Sequence, residues 1–382
     1  MRLGGLTWWR NNYGSILQAY ALQQELNSMP NISYEIINQY GKKIVSLDNL
    51  LDKIKTLGFR KTAQRIVWRF GMKKLRNRSI NIQKFIDERL KVSSKQYTEK
   101  NISEANSEYD GFVCGSDQIW NPTLTDLDSM YWLGFSNERK LRFSYAPSIG
   151  VNDVSDEEAR MIQKNLNGFD AVSCREESGT QLLNRIAGKQ VCETVLDPTL
   201  LVDRKIWNQM CVNYESDPYI FVYMLRGTKE QRELVERFAK SVRLKIVTMP
   251  FMEAEYPVWY DFKFGDKKIW DAAPDEFISV IRNATYVFTD SFHSSVFSIL
   301  YHVPFFNFPK KGKAQLSRIV GLQNLLQIDS RMVNSEEDIN RVAQKEIDWE
   351  MVDDLLEKAR KKSKKYIYGV LQKYNNENHA VK

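Results

Sequence analysis

The sequence is poor in the residues that carry most metal and redox chemistry. In 382 residues there are four cysteines and three histidines. Cys114, Cys174, Cys192 and Cys211 form no CxxC pair, and each sits in or beside an apolar run. That excludes a zinc ribbon and a disulfide frame, and reads as small core residues in a reducing compartment. No His/Asp cluster suggests a metal, so neither a metal nor a cofactor is expected. A GxGxxG fingerprint and a P-loop lysine motif are both missing, which argues against a dinucleotide. No stretch approaches 18 apolar residues, so no membrane span is expected. The opening "MRLGGLTWWRNNYGS" has no long apolar core, so a signal peptide is not expected either, and the expected location is the cytoplasm. Zinc-finger spacing, an RNA-binding aromatic motif and a basic tail are also missing, so nucleic acid is not the expected partner. Yet the net charge is +7 and the isoelectric point about 9.0. The surplus points to phosphorylated small molecules or an acidic lipid surface.

What is present is enough apolar sequence for sizeable cores. The chain is 43% hydrophobic and 27% charged, which argues against wholesale disorder, and its length suggests two domains. Short apolar runs alternate with helical patterns. "GGLTWW", "YEIIN", "YDGFVCG", "LRFSYAP", "FDAVSCR" and "VCETVLD" read as strands. "NYGSILQAYALQQELN" reads as a helix with Ile16, Leu17, Tyr20, Ala21 and Leu26 on its buried face, and "SDEEARMIQKNL" as another. A break falls near 203–217, after which the alternation restarts with "YIFVYML", "LKIVTMP", "ATYVFTD" and "VPFFNF" as strands. The expectation is α/β with two doubly wound, Rossmann-like domains, residues 1–205 and 206–345, and a helical tail over 346–382, broken near Gly369. Ligands of such folds bind at the carboxyl ends of the strands.

One segment departs from the pattern. Between Leu51 and Arg78, inside a helical insertion at about 48–95, there are ten Lys or Arg and one acidic residue, Asp52. Ala63, Ile66, Val67 and Phe70 share one helical face, and Lys61, Arg65, Arg69, Lys73 and Arg76 another. The pattern fits a basic amphipathic helix lying on an anionic membrane, and equally a surface hairpin with a solvated basic face.

Five short stretches could carry chemistry. In "TDSFHSSVFSILYHV", Thr289, Asp290 and Ser291 offer capping side chains, and His293 falls in the first helical turn, where free N–H groups attract anions. The same position suits a capping or packing histidine. "GSDQIWNP" follows a strand: Ser116, Asp117, Gln118 and Asn121 offer hydrogen bonds and Trp120 a flat face, a combination that suits a sugar ring. It suits a tight turn with a packing Trp as well. "WRNNYGS", with Asn12 and Tyr13, is a similar polar loop. "SCREESG" puts Arg175 and Glu176 past a strand, and "YMLRG" puts Arg226 where it could clamp phosphate or carboxylate. Glu176 reads better as a structural ion pair.

"NYGSILQAYAL", "GSDQIWNP", "SYAPSIG", "SCREESG", "VLDPTLL" and "TDSFHSSVFSILYHVPF" occur in an order and spacing that resembles the polysaccharide pyruvyl transferase family, over roughly residues 5–320. The resemblance implies two Rossmann-like domains in a GT-B-like arrangement, an acceptor-side first domain and a donor-side second. It implies transfer of the enolpyruvyl unit of phosphoenolpyruvate, the donor substrate, onto a sugar or lipid-linked oligosaccharide of a bacterial exopolysaccharide or capsule, as a ketal. His293 matches the family's functional histidine and Arg226 its arginine. The catalytic candidates are then His293 and Asp290. The donor-binding candidates are Arg226, Ser291, Ser294, Ser295, Lys313 and Arg318. The acceptor-binding candidates are Asn12, Tyr13, Ser116, Asp117, Gln118, Trp120, Asn121 and Arg175. Where some members carry an arginine two residues before the histidine, this chain has Ser291, and Lys310, Lys311, Lys313 or Arg318 are the cations that could replace it. A GT-B-like glycosyltransferase using a nucleotide sugar, and a non-catalytic glycan-assembly protein, are the alternatives.

The basic segment generates the first prediction. A Lys or Arg near an anionic leaflet contributes about 1 kcal/mol, so the chain should co-sediment with anionic but not neutral liposomes, and salt should release it. Replacing Arg65, Arg69, Lys73 and Arg76 with Ser should abolish binding. Mutants that sediment like the parent would mean that the segment is a solvated face.

Overall fold

The computed structural model describes residues 1–40, 73–137, 140–214, 217–251, 259–309 and 313–380. Its first sheet is wholly parallel: β1 (Arg2–Leu6), β2 (Ser33–Gln39), β3 (Val92–Tyr97), β4 (Gly111–Cys114) and β5 (Leu141–Ser144) stand in the order β3-β2-β1-β4-β5. A bridge from Phe143 to Ala171 continues it into the pair β6 (Val172–Cys174) and β7 (Cys192–Thr194). The second sheet repeats the plan with β8 (Tyr219–Tyr223), β9 (Lys245–Thr248), β10 (Lys267–Lys268), β11 (Tyr286–Thr289) and β12 (Phe305–Asn307), in the order β10-β9-β8-β11-β12. The central strands β4 and β8 are buried at every position, as strands covered on both faces must be. In each sheet the strand order reverses between a first strand and its neighbour, β1 and β4, then β8 and β11. The loops leaving those four strands therefore flank the two crevices, and they hold "WRNNYGS", "GSDQIWNP", "YMLRG" and "TDSFHSS".

The apolar runs expected to be strands all become strands. The missing ones are β3 and β10, a polar "VSSKQY" and a two-residue edge, which carry no apolar signal. Helix α1 (Tyr13–Asn27) was expected to bury one face, but 13 of its 15 residues are buried. The cause is its place between the first sheet and the second unit. Tyr13 stacks on Phe277 with ring centres 5.0 Å apart, and its hydroxyl donates to the Ala272 carbonyl at 2.8 Å.

The basic insertion is described only from α2 (Lys73–Arg89) onward, so its positions 53–72 lie outside the described residues. Arg76 is exposed. Arg78, the last cation of the basic segment and not a member of that face, is buried: its Nε donates to the Tyr13 hydroxyl at 3.0 Å, and its guanidinium lies 4.7 Å over the Tyr13 ring. Asn81 reaches the Asp271 carbonyl at 2.8 Å. This end of the insertion is part of the contact between the two units.

The remaining helices, in chain order, are α3 (Pro122–Thr125), α4 (Asp156–Leu166), α5 (Glu177–Ala187), α6 (Pro198–Leu201), α7 (Arg204–Met210), α8 (Lys229–Val242), α9 (Pro274–Arg282), α10 (Phe292–Leu300), α11 (Lys313–Leu325), α12 (Glu336–Gln344) and α13 (Trp349–Ala380). Ser155 and Thr228 start α4 and α8 with capping boxes. α13 passes through Gly369 without the expected break. Its later turns are held on the first unit, where Ile367 and Leu371 are buried, and that packing outweighs the roughly 1 kcal/mol helix penalty of one glycine. Arg360 Nε donates to the Leu200 carbonyl, Tyr366 to the Ser144 carbonyl, and Lys364 pairs with Glu25 at 2.8 Å. Among the described residues no helix is long and apolar enough to cross a membrane.

The buried Leu196 N–H donates to Ser363 Oγ of α13 at 2.9 Å. Ser363→Ala leaves that donor unpaired, so unfolding in urea should show a loss of about 1–3 kcal/mol. An unchanged midpoint would mean that α13 does not hold this loop.

Candidate active site

β11 ends in Thr289, and the chain turns sharply into α10. Thr289 Oγ1 donates to the Tyr223 carbonyl at 2.6 Å and accepts from Ser291 N at 3.0 Å. Of the three capping candidates Ser291 is the N-cap, accepting from Ser294 N at 3.4 Å. Asp290 has another partner: its two carboxylate oxygens accept from the backbone N–H groups of Leu225 and Arg226 at 2.6 and 2.8 Å. That ties the end of β11 to the end of β8 and fixes the backbone from which the exposed Arg226 side chain extends. Ser295 Oγ donates to the Ser291 carbonyl and accepts from Asn307, whereas Ser294 Oγ is buried with no hydrogen-bond partner. His293 is buried in the first turn, and its Nε2 also has no hydrogen-bond partner.

That nitrogen faces the first unit. Nε2 lies 3.7 Å from Oδ2 of Asp197, an electrostatic contact just beyond hydrogen-bond length. Asp197 leaves β7 as the N-cap of α6, with Pro198 at the first helical position, the arrangement that an Asp-Pro pair favours. Its Oδ1 accepts from Thr199 N and Oγ1 at 2.9 and 2.6 Å. Its Oδ2 accepts from Arg175 Nη1 at 2.8 Å and Ser116 Oγ at 3.1 Å. Burial alone would raise this carboxyl, but His293, Arg175 and Thr199 hold it well below the usual carboxylate range. A depressed carboxyl stabilises the fold fully above about pH 4, its unfolded value, and that contribution is lost progressively as the pH falls from there through the lower folded value. Asp197 is the member of this constellation that the sequence reading did not place in the site. Its one signal, the "LDP" after a strand, is explained by capping alone.

α1 completes the enclosure. A Cβ on Gly14 would lie 2.1 Å from Nδ1 of His293, so glycine is what lets the helix of one unit approach the imidazole of the other. Asn12 caps α1, accepting from Gly14 N at 2.9 Å. Ser15 Oγ donates to Asp117, whose backbone takes the left-handed φ of 74° and whose carbonyl accepts from Ser148 N at 2.7 Å. Gln118 and Asn121 bond to one another at 3.1 Å, and Asn121 caps α3.

Several candidates have structural partners instead. Trp120 offers no flat face to a sugar: it is fully buried, stacked on Trp132 at 4.2 Å with its indole N–H on the Tyr131 carbonyl. Tyr13 is engaged between the units, as described above. Glu176 is structural, its Oε1 accepting from Ser148 Oγ, Ile149 N and Gly150 N. Lys310 and Lys311 lie outside the described residues, and so does the side chain of Lys313, the first residue of α11. Arg318 is buried beside Arg175 in a cavity of about 520 Å³ whose lining also includes Asp197 and Phe292.

Gly14→Ala tests this packing by sign. In an ordinary helix the change gains up to about 1 kcal/mol. Here the new methyl must displace the imidazole, so the thermal midpoint should fall, by the 1–3 kcal/mol typical of overpacking. A raised midpoint would show that the ring does not occupy that space.

The fold has known counterparts. The UDP-N-acetylglucosamine 2-epimerase of Rickettsia bellii superposes with a TM-score of 0.58 at 11% identity, over 100% of this chain and 99% of that one. The UDP-GlcNAc 2-epimerase of Methanocaldococcus jannaschii gives 0.53 at 12% identity, over 91% and 93%. These likenesses establish the architecture, a GT-B-like pair of Rossmann-like sheets closed by a C-terminal helix. No curated relative matches in sequence. The polysaccharide pyruvyl transferase family model, however, matches residues 12–309, which span α1, every strand but β1, Asp197 and His293. The chain is thus a transferase and belongs to the polysaccharide pyruvyl transferase family.

Proposed function

We propose that the chain transfers the enolpyruvyl group of phosphoenolpyruvate to a sugar of a surface polysaccharide precursor and closes it as a pyruvate ketal, with His293 as acid and base. The observation that carries this reading is the buried Nε2 of His293, without a hydrogen-bond partner and 3.7 Å from an ionised Asp197. A ring nitrogen with no partner inside the protein can exchange a proton with a bound donor, and the carboxylate faces that nitrogen.

In the proposed sequence protonated His293 gives its proton to the methylene carbon of the donor, and positive charge develops at the neighbouring carbon. The first sugar hydroxyl bonds to that carbon, and its proton returns to the imidazole. The carbon–oxygen bond to phosphate then breaks, the second hydroxyl adds, and its proton leaves with the phosphate. One donor and two hydroxyls give one ketal and one hydrogen phosphate. A donor with a carboxylate and a phosphate needs cations and N–H donors. Arg226 supplies a guanidinium at the end of β8, and the first turn of α10, with Ser294, supplies the rest. Ser291 caps the helix and adds no charge, so Arg226 bears more of the binding than it would beside a second arginine. The polar loop of Asp117 and Gln118 serves the acceptor hydroxyls, and Asp290 acts by holding the Arg226 backbone.

Calorimetry with phosphoenolpyruvate and a panel of nucleotide sugars tests the donor. Phosphoenolpyruvate should bind, and Arg226→Ala should weaken it by about tenfold or more, the scale of one charge-assisted hydrogen bond. His293→Ala should fold and lose about 10²–10⁴-fold in transfer. Binding of a nucleotide sugar in place of phosphoenolpyruvate would favour the glycosyltransferase reading and sink this one.

A further inference from the structure

A separate groove lies at the opposite end of the first sheet from the candidate active site. Parallel strands share one amino end and one carboxyl end, and the loops of that site leave the carboxyl ends. The groove is lined instead by Leu141, the first residue of β5, by Asp170 and Ala171, which lead into β6, and by Glu193 of β7. The length of β5 alone puts about 10 Å between the two ends. Its other wall is α13, between Lys362 and Tyr374. At about 530 Å³ the groove lies in the range of sites that take a small organic ligand.

Three kinds of group meet there. Tyr366 and Tyr374 line it, and their hydroxyls donate to the carbonyls of Ser144 and Asp110 at 2.9 and 3.4 Å, so what they offer the groove is ring. The sheet side brings carboxylates: Asp170, whose Oδ2 accepts from Arg142 N at 2.8 Å, and Glu193, both exposed. The helix side brings the ammonium groups of Lys362, Lys365 and Lys373, also exposed. Among the described residues Lys362 and Lys365 make no ion pair, so the two charged walls do not close on each other. Gly369 stands in the helix wall with nothing within 4 Å of a Cβ placed there, and any larger residue at that position would stand in the groove.

A bare phosphate would use the lysines, leave the rings wet and stand against two carboxylates. An apolar ligand would use the rings and none of the charges. A sugar uses all three. Its C–H face packs on aromatic rings, and its hydroxyls both donate to carboxylates and accept from ammonium groups. A carboxylate on that sugar answers the surplus of three lysines over two acids.

We infer that this groove binds a sugar that carries a carboxylate, with its C–H face on Tyr366 and Tyr374, its hydroxyls on Asp170 and Glu193, and its carboxylate on Lys362 and Lys365. A uronic acid and a pyruvate ketal both supply that chemistry. The chain belongs to a polysaccharide-modifying family, and a polymer held at this groove and at the cleft is bound at two points, which raises its effective concentration where it reacts. The inference rests on the sugar chemistry of the family and does not require the pyruvyl donor.

The test is a ligand-observed NMR titration of the full chain with methyl glucuronide, the 4,6-pyruvate ketal of methyl glucoside, methyl glucoside and acetate. At least one acidic sugar should bind about threefold or more tightly than methyl glucoside, the scale of an exposed ion pair, and acetate should not displace it. Binding of the glucuronide alone would name a uronic acid as the source of the carboxylate, and binding of the ketal alone the pyruvylated sugar; either supports the inference. Gly369→Phe should weaken the acidic sugar tenfold or more while the thermal midpoint stays level or rises, because glycine is the poorer helix former. Lys365→Gln should reduce the preference over methyl glucoside, and Arg226→Ala, at the other end of the sheet, should leave glucuronide binding unchanged. Equal binding of methyl glucoside would show that the lysines are not used, and displacement by acetate that the groove is an anion surface only. Parent affinity in Gly369→Phe would place the ligand elsewhere. Any of these three, or no binding by either acidic sugar, overturns the inference. Failure of phosphoenolpyruvate to bind in calorimetry would count against the donor reading and leave the groove standing.

Discussion

The ionised carboxylate of Asp197, buried between two structural units, is the constraint on which the rest of the site depends. A buried charge is tolerated only when it is paired and fully hydrogen-bonded. Here the partners come from four places: Thr199 within its own cap, Ser116 after β4, Arg175 after β6, and His293 across the gap on α10. Each of these loops leaves the carboxyl end of a strand or starts a helix. The two Rossmann-like sheets thus deliver to one point the groups that a lone carboxylate requires. Removing one partner leaves charge unpaired, so these positions constrain one another more tightly than their separation in sequence suggests.

The contact between the units is built to the same tolerance. Gly14 allows His293 to lie against α1, and Tyr13 joins Phe277, Ala272 and Arg78 at the next position. α13 then returns from the second unit and closes over the first through Arg360, Ser363, Lys364 and Tyr366. A helix buried nearly all round, a glycine facing an imidazole and a long return helix are three consequences of bringing two sheets together around one carboxylate. Arg175 and Asp197 also line a cavity whose other walls include Leu322 of α11 and Leu355 of α13.

Much of this was legible in the sequence. Short apolar runs alternating with helical patterns, restarting after residue 217, gave the two sheets, because buried parallel strands must be apolar on both faces. Of the five loops named for chemistry, four lie at the points where strand order reverses, and "SCREESG" follows β6 instead. What local pattern could not show was which polar residue faces which. Trp120 looked like a platform because a Trp among Asp, Gln and Asn reads as amphipathic, yet Trp132 and Phe169 enclose it. Asp290 looked catalytic because it precedes the histidine, yet its oxygens hold the backbone of β8's loop. Asp197, nearly a hundred residues from His293, carries a capping signature that needs no further explanation. Its role follows from tertiary placement alone. The continuity of α13 through Gly369 is likewise a tertiary effect overriding a local one.

If Asp197 acts on the reaction through His293, the two residues must lose their effects together. The most direct measurement is the four-member cycle of the parent, Asp197→Asn, His293→Gln and the double variant, read as single-turnover release of phosphate from phosphoenolpyruvate with a sugar acceptor that supports turnover. Residues that work as one unit are grossly non-additive. The account predicts that Asp197→Asn slows the parent by tenfold or more and leaves His293→Gln nearly unchanged. An equal loss in both backgrounds would show that Asp197 does not act through the imidazole, and would contradict the account of the site given above.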